Sequence, residues 1–258
     1  LTSEIPMKAG TGSSSAITVS WIHFLSQMAD EPADWDQQKI GSLAYAAEVV
    51  EFNEPGGMMD QYSTALGDLI YIESEPEILI KSLKPNLGTF VLGDSCEPKD
   101  TMEILQRCGD SRLAIVEKIK SQNSDFNLHN FELEEISWCD LNKDETTLFS
   151  GTIQNRDLLR KALPELKKSE PDHEKIGRLL FEHHSILRDV LKVSTPKIET
   201  MLEAAMNAGA LGGKINGSGG GGCMFAYAPD NPEKVTKAIK KAGGKAYIIH
   251  SEAGTRID

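Results

Sequence analysis

Two glycine-rich segments, and a carboxylate between them in the chain, hold the residue types best suited to chemistry. The first segment is Gly10-Thr11-Gly12-Ser13-Ser14-Ser15. Glycines at 10 and 12 let the backbone turn tightly and approach a ligand closely. Three hydroxyls follow where an apolar repeat of helical spacing begins, at Ile17, Trp21, Phe24, Leu25 and Met28. A helix N-terminus presents unpaired N–H groups and a partial positive charge, a natural seat for phosphate. Serine hydroxyls at such a place also suit magnesium. A plain glycine-serine turn with a serine cap explains the loop equally well by itself. No Gly-Lys-Ser/Thr closes it, so it is not a Walker loop.

The second segment is Gly217-Ser218-Gly219-Gly220-Gly221-Gly222, running straight into the apolar stretch 223–228. A linker does not ordinarily enter a strand in this way, which points to a backbone passing close to another segment or a ligand. A flexible hinge is the competing reading. Between the two lies Gly56-Gly57-Met58-Met59-Asp60-Gln61. Asp60 stands just past a turn among apolar side chains, where a shielded carboxylate would act as a base toward a hydroxyl. The commoner role for such an Asp is a helix cap. Glu48, twelve positions earlier on a predicted helix, means little alone, because acidic helix residues are usually solvated. His183 and His184 are adjacent, so they cannot share a helix face, and one is expected packed and the other exposed. Trp21, Trp35 and Trp138 read as ordinary packing.

Helices are expected over 14–28, 36–50, 58–66, 101–121, 147–166, 173–191, 196–208 and 232–242. Thr195-Pro196 is a strong start signal, with threonine as cap and proline at the first position. Glu54 to Gly57 reads as a turn. Strands are expected at 70–72, 77–80, 89–93, 223–228 and 246–250. The last third alternates helix and strand, which suggests helices layered on a sheet.

The chain has 258 residues, enough for one large domain or two small ones. Hydrophobic residues make up 40% and charged residues 26%, which excludes whole-chain disorder. With 27 basic and 39 acidic residues the formal charge is −12, and no basic run is segregated. That excludes general nucleic-acid binding and polybasic membrane docking. Residues 9–29 lack charge but are too rich in serine and threonine for a membrane span. Neither a signal peptide nor a zinc-type cysteine spacing is visible. Cys96, Cys108, Cys139 and Cys223 read as reduced thiols of a cytoplasmic protein. The chain opens on Leu1 and almost at once enters a motif, as expected of a fragment or processed product.

The three segments together, with Lys214-Ile215-Asn216 before the second glycine run, resemble the GHMP small-molecule kinases, and within them galactokinase. The stretches 184–189 and 193–199 add to that likeness. The resemblance implies an α+β, two-domain GHMP kinase fold. Residues 1–88 would be an incomplete N-terminal domain, and 89–258 a C-terminal domain of helices on a small antiparallel sheet. It also implies an enzyme that phosphorylates a sugar hydroxyl with ATP and Mg2+, at the anomeric position of galactose or a related sugar. Gly10, Thr11, Gly12, Ser13, Ser14, Ser15, Gly219 and Gly220 would hold ATP phosphates, with Gly219 packing against the phosphate loop. Ser15 and Glu48 would hold magnesium, and Gly57 and Asp60 would meet the sugar, Asp60 as the catalytic carboxylate. The implied partners are the sugar, ATP and an absent N-terminal segment of the same protein, with no nucleic acid or membrane. That segment would carry the family's first motif. The chain also departs from the family at Pro55 to Met58 and lacks a sugar-facing tyrosine after residues 90–92. Kinases for mevalonate or homoserine, and a silent sugar sensor on the same fold, are the competing readings.

Overall fold

The computed structural model describes residues 2–6, 9–53, 56–98 and 101–257. The first part is three helices and a hairpin. Helix α1 (Ser13–Met28) and helix α2 (Gln37–Tyr45) pack with α3 (Met59–Leu66) around Val19, Ile40, Ala44 and Ala65. Asp36 starts α2 by accepting the Lys39 N–H at 2.7 Å. Gly41 lets α2 lie close on α3, since a Cβ there would come within 3.0 Å of the Tyr62 ring. Strands β1 (Leu69–Glu73) and β2 (Leu79–Leu83) form a separate antiparallel pair.

The second part is built on a four-stranded antiparallel sheet. Strand β3 (Phe90–Asp94) lies between β5 (Cys223–Tyr227) and β6 (Lys245–Ile249), and β4 (Gly212–Ile215) forms the edge beside β5. Helices α7 (Pro196–Asn207) and α8 (Pro232–Lys241) cover one face. The core between them includes Val91, Ile198, Met201, Met224, Val235 and Ile239. Helices α4 (Thr101–Gln122) and α5 (Lys143–Leu166) enclose another core around Ile119, Phe131, Phe149 and Ile153.

Helix α6 (His173–Asp189) seals the edge strand. A Cβ on Gly177 would lie 2.3 Å from the Leu211 carbonyl oxygen, so backbone meets backbone there. The fully buried His184 completes the seal. Its Nδ1 accepts the Ile215 N–H at 3.3 Å, and its Nε2 lies 2.8 Å from Glu199 Oε1. The edge amide that would otherwise lack a strand partner is thus satisfied by a side chain.

Several elements differ from expectation. The helix predicted over 36–50 leaves α geometry at Tyr45 and ends in a π turn, Ala46–Val50, closed by the Glu51 N–H on the Ala46 carbonyl at 2.9 Å. Helix α5 begins at Lys143, earlier than the apolar repeat, because Asn142 and Glu145 form a reciprocal capping box. Strand β2 is shifted to Leu79–Leu83 by its register with β1. The short, glycine-led β4 and a 3-10 turn at Leu133–Trp138 escaped the periodicity. On α1 the apolar repeat Ile17, Trp21, Phe24, Leu25 and Met28 is exposed, and Ser15, Val19 and Ser26 are buried instead. His183 is not exposed as expected, but partly buried. Of the turn expected at 54–57, residues 54 and 55 lie outside the described residues. All four cysteines are free thiols. No helix among the described residues is long and apolar enough to cross a membrane.

Gly177→Ala should destabilise the chain by about 3 kcal/mol, read as a lowered urea midpoint, because neither backbone can yield. Burial lowers the pKa of His184 and pushes that of His183 down to about 4. Both therefore take up protons more readily in the unfolded chain. Stability should be full above about pH 6.5 and fall as pH drops from there toward 4, measured as Tm between pH 7.5 and 4.5.

Candidate functional site

The site forms where the two glycine segments meet. Gly12 precedes α1 in the left-handed region, with φ of +66°, and gives the helix no side-chain cap. The Ala16 N–H closes the first turn on the Gly12 carbonyl at 2.9 Å. The amides of the serine run are thus left at an open helix mouth. Thr11 braces the loop from behind, donating its hydroxyl to the Pro6 carbonyl at 2.9 Å.

Ser15 is buried and donates its hydroxyl to Glu48 Oε2 at 2.8 Å. Gln61 Nε2 donates to the same oxygen at 2.7 Å. The π turn, α1 and α3 are therefore tied through one carboxylate. Gln61 Oε1 is buried with no hydrogen-bond partner among the described residues. Asp60, beside it in the first turn of α3, is exposed rather than shielded as expected. The reason is its place at the open start of α3, where Gln61 and Tyr62 take the inward positions. Asp60 is not the cap residue, a position held by Met58. It faces the loop: a Cβ on Gly12 would lie 4.0 Å from Asp60 Cγ.

The second glycine segment closes on the first. Asn216 Nδ2 donates to the Gly10 carbonyl at 2.7 Å, and the Cys223 N–H donates to the Ala9 carbonyl at 2.9 Å. A Cβ on Gly222 would sit 2.6 Å from that Ala9 oxygen. The glycine that touches the loop is therefore Gly222. Gly219 packs against Val193, and the Gly220 N–H donates to the Val193 carbonyl at 2.7 Å.

A cleft of about 1310 Å³ opens at this junction. Gly10, Thr11, Gly12, Ser14, Ser15, Glu48, Gly57 and Asp60 line one side. Lys214, Asn216, Gly217 and Ser218 continue the wall, with Leu92 and Tyr247 from the sheet and Arg112 and His183 from α4 and α6. Of the sequence-predicted residues, Ser13, Gly219 and Gly220 are not in this lining. Ser218 Oγ is buried with no partner among the described residues, a second orphaned polar atom at the wall.

These residues fit a nucleotide phosphate with a divalent cation. The open helix mouth offers backbone donors, and the Ser15 hydroxyl and Glu48 carboxylate are hard oxygen donors within 2.8 Å of each other. Among the described residues no group of three or more His, Cys, Asp or Glu gathers for a metal. The donor set therefore suits an ion that keeps water and phosphate among its ligands. Sequence reasoning gave Gln61, Asn216 and Lys214 no role. Their only signal was a place within the segments that carry the family resemblance.

The description GHMP kinases N terminal domain matches residues 1–68, and GHMP kinases C terminal matches residues 159–245. A mevalonate kinase of Pyrococcus horikoshii is 30% identical across the whole chain, which covers 68% of that relative. Human galactokinase is 25% identical over 97% of the chain and 64% of its own length. Among solved structures, Lactococcus lactis galactokinase complexed with galactose superposes with a TM-score of 0.79 over 98% of this chain and 68% of that one, at 19% identity. The chain thus spans about two thirds of the length of such relatives. With both halves of the family matched, and the paired loops, carboxylates and sheet arranged around one cleft, the chain belongs to the GHMP kinases.

Proposed function

We propose that the chain carries the phosphoryl-transfer site of an ATP- and magnesium-dependent kinase acting on a sugar hydroxyl, the anomeric OH of galactose or a related sugar. The observation that carries the reading is Asp60 facing the Gly12 mouth of α1, beside the Ser15–Glu48 pair. Phosphoryl transfer asks the protein mainly for positioning and charge neutralisation. The amides of Ser13, Ser14 and Ser15 bind the terminal phosphates, with Gly10, Thr11 and Gly12 shaping the approach. Ser15 and Glu48 hold the cation, which when bound neutralises phosphate charge. Asp60 orients the acceptor hydroxyl and takes its proton, and Gly57 leaves room for the acceptor beside it. Gly219 and Gly220 act through Val193, holding the second loop against the first. The division at residue 88 separates the phosphate-loop half from the sheet half. Free thiols and dependence on ATP suit the cytoplasm.

The likeness to galactokinase in fold supports the sugar reading. A mevalonate-type alcohol is the second reading, favoured by 30% identity to a mevalonate kinase along the entire chain. A panel of aldoses and mevalonate, offered with ATP and magnesium, decides between them. If no alcohol is phosphorylated while ATP still binds, the kinase reading fails.

Asp60→Asn should lower kcat by about 10²- to 10⁴-fold with ATP affinity nearly unchanged, measured by steady-state kinetics and calorimetry. Unchanged turnover would remove Asp60 from the mechanism. Glu48→Gln should raise the magnesium concentration needed for half-maximal rate by about 10-fold or more, in a magnesium titration at saturating ATP. An identical magnesium dependence would place the cation elsewhere.

A further inference from the structure

Tyr247 is the feature of the cleft that phosphate and metal binding leave unexplained. It lies on β6, is 43% exposed, and lines the cleft. The sheet register fixes its direction. Val91 and Ala246 are buried in the core against α7 and α8, so Leu92, Tyr247 and Ile249, which alternate with them, stand on the other face. Tyr247 pairs directly with Leu92, and all three line the cleft. They form an apolar floor, an aromatic ring beside two aliphatic side chains. A single exposed tyrosine is ordinary on an open surface; on the floor of a cleft, with apolar neighbours, it is a surface for a ligand.

This floor is set apart from the phosphate loop. Gly10 and Ala9 meet the sheet at the ends of β4 and β5, through Asn216 and Cys223. Strand β6 stands two strand spacings from β5, about 10 Å across the sheet. Beyond β6 the chain runs to the end of α3, where the Asp68 N–H donates to the Glu252 carbonyl at 2.7 Å and the Thr255 N–H to the Ala65 carbonyl at 3.0 Å. Floor and α3 therefore border the same part of the cleft, and α3 is the helix that carries Asp60. Its cleft-lining residues Asp60, Ser63 and Thr64 follow at helical spacing and share one face. The Ser63 hydroxyl donates to the Asp60 carbonyl at 3.2 Å, which leaves its lone pairs to accept from a ligand.

A hydroxyl-bearing wall and an aromatic floor fit a molecule that is polar at its rim and apolar on its face. A pyranose ring is such a molecule, with hydroxyls around the rim and C–H bonds on the face, and a flat aromatic side chain takes that face. An open-chain alcohol has no face to offer. We propose that Tyr247 is the stacking platform for the acceptor ring, with Leu92 and Ile249 beside it and Ser63 and Thr64 taking rim hydroxyls. This rests on the kinase reading above and adds to it the residue that selects ring-closed acceptors over open-chain ones. Tyr247 touches the ring and not the reacting hydroxyl, so it acts on acceptor binding and leaves the chemical step alone.

Calorimetry and steady-state kinetics with D-galactose, D-glucose and D-mannose, each beside its open-chain polyol, and with (R)-mevalonate, test it in the wild-type chain, Tyr247→Leu and Tyr247→Phe. The preferred aldose should bind the wild type about 5-fold or more tighter than the polyol of the same configuration. Tyr247→Leu, which keeps the floor apolar but removes the ring, should raise the KM of that aldose by about 3- to 10-fold, with kcat and ATP affinity nearly unchanged. Tyr247→Phe keeps the ring and should stay within about 2-fold of wild type. A polyol binding as tightly as its aldose would overturn the proposal, as would (R)-mevalonate binding tighter than every aldose. So would an unchanged KM in Tyr247→Leu, an equal loss in Tyr247→Phe, which would give the effect to the hydroxyl, or a loss confined to ATP, which would put the nucleotide's base on the ring. The wild-type comparison decides even if the leucine variant does not fold. Aldose-selective binding without phosphoryl transfer would overturn the kinase reading and leave the platform standing, whereas transfer to open-chain alcohols alone would do the reverse.

Discussion

Everything at the site depends on the carboxylate of Glu48. One of its oxygens accepts hydrogen bonds from two elements at once, the Ser15 hydroxyl of α1 and the Gln61 amide of α3. A charged acceptor gives stronger hydrogen bonds than a neutral one, and it fixes both donors in direction as well as distance. The orientation of α1 sets where the open amides point. The orientation of α3 sets where Asp60 stands, one residue before Gln61. The π turn that carries Glu48 belongs to the same arrangement, since α geometry ends just before it, at Tyr45. One extra residue in a helical turn rotates the side chains that follow by about 100°, enough to change which neighbour a carboxylate meets.

The second constraint is the seam between the two glycine segments. Groups from positions more than 200 apart meet there, the Asn216 side-chain amide on the Gly10 carbonyl and the Cys223 N–H on the Ala9 carbonyl. Such contacts need chains closer than any Cβ permits, as the 2.6 Å approach at Gly222 shows. The seam is supported from outside by a chain of side chains. His184 holds the Ile215 amide, Glu199 holds His184, and Val193 takes the Gly220 N–H. Helix α6 therefore acts on the site without lining the loop itself, through the edge strand it seals. The ordering is physical: packing fixes the strand, the strand fixes the glycine loop, and the glycine loop closes the mouth of α1.

Local signals were legible where they are satisfied within a few residues. Thr195-Pro196 announced α7, and the apolar repeats announced α4 to α8, with α5 beginning early only because its capping box lies outside the repeat. Strand β4 was not legible, since two of its four residues are glycine and its pairing with β5 crosses the glycine run. The apolar repeat of α1 was read correctly as a helix, and its residues are exposed. Periodicity reports which residues share a side, and only the packing partners decide which side is covered. His183 and His184 make the same point within one helix turn: both are withdrawn from water, one against the sheet edge and the other into the cleft wall.

The amino-acid sequence by itself determined the kinase family, the glycine-serine loop that opens α1, the presence of a carboxylate at residue 60 and the close approach implied by residues 217–222. Each of these is written in residue types and short spacings, because turns, caps and close backbone contacts are decided by neighbouring residues. Only the tertiary structure decided that Glu48 unites Ser15 with Gln61, that Gly222 rather than Gly219 meets the loop, that Asp60 stands in the open, and that Lys214 lines the cleft. Those facts depend on the distance between residues far apart in the chain. That distance is set by how helices and sheet pack, a long-range balance of burial and hydrogen bonding that no local pattern encodes.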